Sequence, residues 1–178
     1  RLTAGISGAL AVLLVTLMAA RLFGTGIGML SGLTMATSYE VVRYATLAED
    51  EIFLTLTSAA AMTCFVFAEY KASKTGGEKS TPTQTNTPRA WGYRSWWVVA
   101  FFIATGLTNL TKGVGFGPMM VFVPVTCFIA LSWDLTRFRR YLWVWGMVIF
   151  LLLTLWWPIA VILTIPGSLE VWVYDLLG

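Results

Sequence analysis

The chain has 178 residues, 57% of them hydrophobic and 12% charged, with a mean hydropathy of +0.75 and a formal charge of +3. A water-soluble surface takes about a quarter of all residues as charged ones, so an ordinary soluble domain is excluded and an all-α, polytopic membrane bundle is expected. There is no histidine, which removes the commonest general base and metal ligand and leaves carboxylates, lysine, arginine and tyrosine for any chemistry.

A hydrocarbon core about 30 Å thick takes about 20 helical residues, and the chain is read on that scale as six transmembrane spans. Span one is 2–20, closed by Arg21. Span two, 22–39, carries Gly24, Gly28, Gly32 and Ala36 four apart on one helix face, a ridge that lets another helix approach closely in lipid. This predicts a helix packed within the bundle. Glu40 and Arg43 follow, and then the run Glu49-Asp50-Glu51. Arg43 is a helical neighbour of Glu40, so pairing with Glu40 or with the acidic run competes with a substrate contact. Span three is 52–68. Residues 71–95 are rich in Lys, Ser, Thr, Gly, Gln, Asn and Pro, the composition of a flexible extramembrane loop.

Span four, 95–111, opens on Trp96-Trp97, and span five, 114–133, contains Pro118 and Pro124, which predict a kinked helix. Span six runs from Tyr141 to Ile165, with Trp156-Trp157-Pro158 expected to mark the interface at its far end. Residues 167–178 place Leu169, Trp172, Val173 and Leu176 on one helical face, suiting a helix in the interface plane. Cys64 and Cys127 lie in apolar runs without metal-ligand spacing and are read as packing residues. The chain opens at Arg1 without a methionine and stops soon after this amphipathic stretch begins, so a fragment of a longer protein is expected.

Six crossings sort the charges. Arg21, Lys71, Lys74, Lys79, Arg89, Arg94, Arg137, Arg139 and Arg140 fall on one side, against Arg1, Arg43 and Lys112 on the other. The positive-inside rule makes the richer side, including loop 71–95, cytoplasmic. Glu49-Asp50-Glu51, Lys112 and the segment 167–178 then share the outer face. Lys112, in T-N-L-T-K-G-V-G-F-G-P, is the only charged residue between Arg94 and Asp134. A cation there belongs at a membrane boundary, because hydrocarbon penalises it by several kcal/mol. Gly113, Gly115 and Gly117 would allow a tight turn with accessible N–H groups, and with the ammonium this suits a phosphate. A lysine snorkelling from a helix end needs no such ligand.

The order R-L-x-A-x-x-x-x-L, A-R-L-F-G, A-T-S, R-x-A, an acidic run opening a span, G-L-T-N-L-T-K-G and W-W-P-I-A-V-I-L-T-I-P-G resembles the polyprenyl-phosphate-sugar glycosyltransferases. These form the GT-C membrane superfamily that includes protein mannosyltransferases and the aminoarabinose transferase of lipid A. The resemblance implies that Lys112 meets the lipid phosphate and offsets the charge of the departing group. An acid three residues before a leucine is usual in the family; counting back from Leu54 gives Glu51, with Asp50 the neighbouring alternative. The usual P-W-Y is replaced by Trp156-Trp157-Pro158. The family's catalytic carboxylate would lie upstream of Arg1 and its soluble portion beyond Gly178. The chain is therefore expected to be inactive alone, with no catalytic residue of its own.

The candidate substrate- and phosphate-binding residues are Lys112, Glu51, Asp50 and Arg43. The implied partners are membrane lipids, a polyprenyl-phosphate sugar donor and an acceptor that is a lipid, glycan or protein; no nucleic acid is expected. No cofactor is implied beyond an open question of a divalent metal, and the implied setting is a plasma (inner) membrane. Half of a secondary transporter and a non-catalytic subunit are the rival readings; the first is disfavoured by spans free of central charges.

Overall fold

The computed structural model describes residues 2–47, 49–76, 96–112, 116–131, 141, 143–165 and 167, with backbone alone at 70–76 and 112. The described residues are helical with no strand: α1 (Leu2–Phe23), α2 (Thr25–Ala36), α3 (Tyr39–Leu47), α4 (Asp50–Gly76), α5 (Trp96–Lys112), α6 (Phe116–Leu131) and α7 (Val144–Thr164). Three stretches are long and apolar enough to cross a membrane, Leu2–Phe23, Asp50–Glu69 and Val144–Thr164, and Trp96–Thr111 and Phe116–Leu131 are shorter apolar helices. The all-α polytopic membrane bundle is therefore the fold. The segment 168–178 and most of the loop 71–95 lie outside the described residues; α4 itself remains helical to Gly76, beyond the expected loop start.

The second span differs from its expectation. Gly24, at φ 97° and ψ 164°, occupies a region of backbone space essentially reserved for glycine, and this one residue turns α2 back along α1. A Cβ on Gly28 would fall 2.5 Å from the Ala20 Cβ, and one on Gly32 would collide with the Thr16 hydroxyl. The ridge therefore seats α1 alone. Ile27, Met29, Leu30 and Leu33 stay exposed, so α2 lies on the outside of the described bundle, because a groove of glycines accommodates one neighbour and leaves the opposite side bare. Twelve residues of α2 rise only about 18 Å. The limb then breaks at Thr37-Ser38 and resumes as α3, which reaches down α1 until Ala45 meets Gly8, 3.3 Å from a Cβ built there.

α4 returns parallel to α1, with Ile52 against Gly8 and the Thr63 hydroxyl donating to the Leu14 carbonyl at 3.4 Å. At its far end the Arg21 guanidinium lies 5.1 Å over the Phe67 ring. α5 runs antiparallel to α4, fixed by Phe67 with Trp97 (4.9 Å between ring centroids) and Phe65 with Phe101 (6.1 Å). α6 reverses again, and α7 runs parallel to α5 with Phe102 against Gly146 and Leu153 against Gly106.

The dry centre is aromatic. Phe101 and Phe102 are fully buried, Phe65 and Tyr141 nearly so, and Val121, Val125 and Ile129 of α6 close over them. The Phe101–Tyr141, Phe65–Phe128 and Phe122–Phe150 pairs are edge-on, a geometry worth about 0.5–1.5 kcal/mol each beyond contact area. Such packing carries the bundle because lipid tails are as apolar as leucine and burial alone gives little. Polar side chains bond locally: the hydroxyls of Thr16, Thr55, Thr63, Thr105 and Thr126 each donate to a carbonyl four residues back.

Candidate functional site

The helices define two ends. At one, Arg21, Glu69, Trp97 and Tyr141 gather, with the Tyr141 hydroxyl donating to Glu69 Oε1 at 3.0 Å. At the other lie α3, the start of α4, the end of α5 and the start of α6. The α4/α5 register sets the level of the last: fifteen residues on from Trp97 is Lys112, and fifteen back from Phe67 is Ile52. Lys112 thus closes α5 level with the residue after Glu51. It stands at the negative end of the α5 dipole and Asp50 and Glu51 stand at the positive end of the α4 dipole, the favourable sense for both signs.

Glu49 is the joint between α3 and α4. Its N–H donates to the Tyr44 carbonyl and its own carbonyl accepts from the Ile52 N–H, both at 3.3 Å. Asp50 is exposed, whereas Glu49 and Glu51 are half-buried. Among the described residues no three acidic or cysteine side chains converge tightly enough to hold a metal ion.

α3 corrects the expectation for Arg43. The side chain lies with its guanidinium 5.8 Å from the Tyr44 ring, and among the described residues no ion pair joins it to Glu40 or to the acidic run. Glu40 turns one helical turn onward instead, to Tyr44. The Tyr44 hydroxyl is pushed above the usual tyrosine range, first by its hydrogen bond to Glu40 and by that carboxylate's charge, with Glu51 adding to the effect and Arg43 opposing it. Tyr44 thus sits within electrostatic reach of Glu40, Arg43 and Glu51 together. It was missed in sequence because a tyrosine among membrane helices reads as an interface anchor; only its spacing from Glu40 signalled the bond.

The glycine-rich stretch is also corrected in part. Gly113 and Gly115 lie outside the described residues. Gly117 belongs to α6, where a Cβ would collide with the Thr108 carbonyl, so it seats α6 on α5 and is not part of an open turn. Pro118 falls in the first turn of α6, where a missing N–H costs no hydrogen bond, and Pro124 alone is interior. Trp156 and Trp157 are exposed, and Trp157, three residues on from Thr154 as Lys112 is three on from Asn109, stands level with the end of α5.

The fold and this end define a class: a polytopic helical membrane protein with oppositely charged helix termini brought to one face. More particularly, the family described as dolichyl-phosphate-mannose-protein mannosyltransferase matches residues 1–174, and the chain belongs to that family, whose members are membrane glycosyltransferases of the GT-C superfamily drawing sugar from a polyprenyl-phosphate donor. No curated protein and no solved structure matches the chain.

Proposed function

We propose that the Lys112 end is the reaction face, on the outer (periplasmic or lumenal) side of a plasma (inner) membrane, and that Lys112 holds the phosphate of the polyprenyl-phosphate sugar. The observation that supports this most is the α4/α5 register, which brings the end of α5 level with Glu51. In the reaction the bond between the sugar's anomeric carbon and the phosphate oxygen breaks, polyprenyl phosphate departs, and an acceptor hydroxyl oxygen bonds to the anomeric carbon. The ammonium of Lys112 offsets the negative charge gathering on the phosphate, an effect strengthened where low-dielectric hydrocarbon is close. Glu51, with Asp50 beside it, hydrogen-bonds sugar or acceptor hydroxyls, and Arg43 with Tyr44 flanks that carboxylate. The acceptor hydroxyl gives its proton to a carboxylate acting as general base, a role assigned to no residue of this chain.

In the full-length protein, Lys112→Ala should lose about 2–4 kcal/mol of transition-state stabilisation, the scale of one lost oxyanion donor, measured as transfer rate per correctly inserted molecule. A rate equal to wild type would reduce Lys112 to an anchor. The side of the membrane is tested separately. A single cysteine at position 85, replacing Thr85, should resist an impermeant thiol reagent in intact cells and react after lysis; labelling of intact cells would reverse the orientation.

A further inference from the structure

α7 carries a proline in its interior, Pro158. A helical carbonyl accepts from the N–H four residues on, and proline has none, so Pro158 deprives the Thr154 carbonyl of its ladder partner. Thr154 is 8% exposed, and within a membrane there is no bulk water to supply a donor. The donor present comes from another helix: Asn109 Nδ2 of α5 lies 3.1 Å from the Thr154 carbonyl oxygen. Asn109 is itself 4% exposed. The bond therefore joins two motifs, T-N-L-T-K and W-W-P, that lie 45 residues apart in the chain. It sits one turn before Lys112, beside the place where Gly117 of α6 closes on the Thr108 carbonyl, so the last turn of α5 is held from two sides.

We propose that Asn109 is a positioning residue, which takes up the carbonyl freed by Pro158 and so locks α5 to α7 in the register that donor binding at Lys112 requires. The proposal rests on the reading of Lys112 as the phosphate ligand. Its chemistry separates two roles. Satisfying the carbonyl is a stability role that any donor can fill, including the restored N–H of Pro158→Ala. Tethering the last turn of α5 to that carbonyl of α7 is a role only the side chain at position 109 can fill.

The experiment compares wild type, Asn109→Ala, Pro158→Ala and the double variant of the full-length protein, reading the thermal midpoint together with KM and kcat for a polyprenyl-phosphate sugar. Asn109→Ala should lower the midpoint and raise KM about tenfold, the scale of one interhelical hydrogen bond in a membrane. Against the Pro158→Ala background the midpoint loss should vanish, because alanine rebuilds the helical bond, while the KM rise should persist. A KM that recovers together with the midpoint, or that never rises, overturns the proposal. Should Asn109→Ala fail to insert, Asn109→Gln, which keeps the amide but displaces it by one methylene, gives the same comparison with a smaller expected rise. Lys112→Ala measured alongside separates the two readings. An unchanged kcat/KM there overturns the phosphate reading, whereas a lowered kcat/KM there beside an unchanged KM in Asn109→Ala overturns the positioning proposal alone.

Discussion

The two ends of the bundle are built on different physics. At the Arg21 end, Phe65, Phe101, Phe102, Tyr141 and Trp97 interlock on α4, α5 and just ahead of α7, and a polar contact, Tyr141 with Glu69, is made at the edge of that cluster. At the Lys112 end the rings give way to small and polar residues: Gly117 on Thr108, Asn109 on Thr154, Ala45 on Gly8. The first arrangement gains cohesion from shape and is indifferent to charge. The second brings backbones close and leaves charged helix termini at the rim, where a ligand can reach them. With the proposed site at Lys112, stability is concentrated at one end and chemistry at the other.

The widest separation of the two ends comes from paired truncations. Phe101→Ala removes a fully buried ring and should cost about 3–5 kcal/mol of stability, read as loss of folded, inserted protein, with the transfer rate of the surviving folded molecules little changed. Lys112→Ala should do the reverse. If Phe101→Ala abolished turnover in molecules that remain folded, the division between the ends would fail.

A smaller effect is expected at the α1/α2 turn. Gly24→Ala forces a side chain into a positive-φ conformation, at about 1–3 kcal/mol, and Gly28→Val must push α2 off Ala20, at a similar overpacking cost. Both should lower the melting midpoint and leave KM for the donor in place, since α2 reaches the Lys112 end only through α3. A raised KM without a lowered midpoint would tie this limb to the site.

The smallest effect sharpens the picture at α3. Because the Tyr44 pKa is raised above that of an unfolded tyrosine, the bond to Glu40 contributes fully below the ordinary tyrosine range and is lost as pH rises through the raised value. Tyr44→Phe should therefore be slightly less stable than wild type near neutrality, and the gap should close in strongly alkaline buffer. A gap that widened with pH would mean that Tyr44 is not held neutral by Glu40.

Composition and run length alone determined that this chain is a multi-helix membrane protein, because every backbone polar group in hydrocarbon must be satisfied within its own segment and apolar runs of span length have helices as their solution. The motif order pointed to the glycosyltransferase family, and the alternation of charged connections put Lys112 and the acidic run at a common end. Tertiary structure decided the rest. Four-residue spacing identified the Gly24 to Ala36 ridge as a contact surface, but spacing does not say how many partners a surface has, and only the fold of α2 against α1 shows one. Charge made Arg43 a partner for Glu40, and the helix geometry of α3 gave Glu40 to Tyr44. Pro158 in the sequence announces a freed carbonyl at Thr154. That Asn109 answers it depends on the lateral register of α5 against α7, which ring packing around Phe102 and the close approach at Gly106 and Gly146 set, and no periodicity within one helix encodes the height at which another helix will stand beside it.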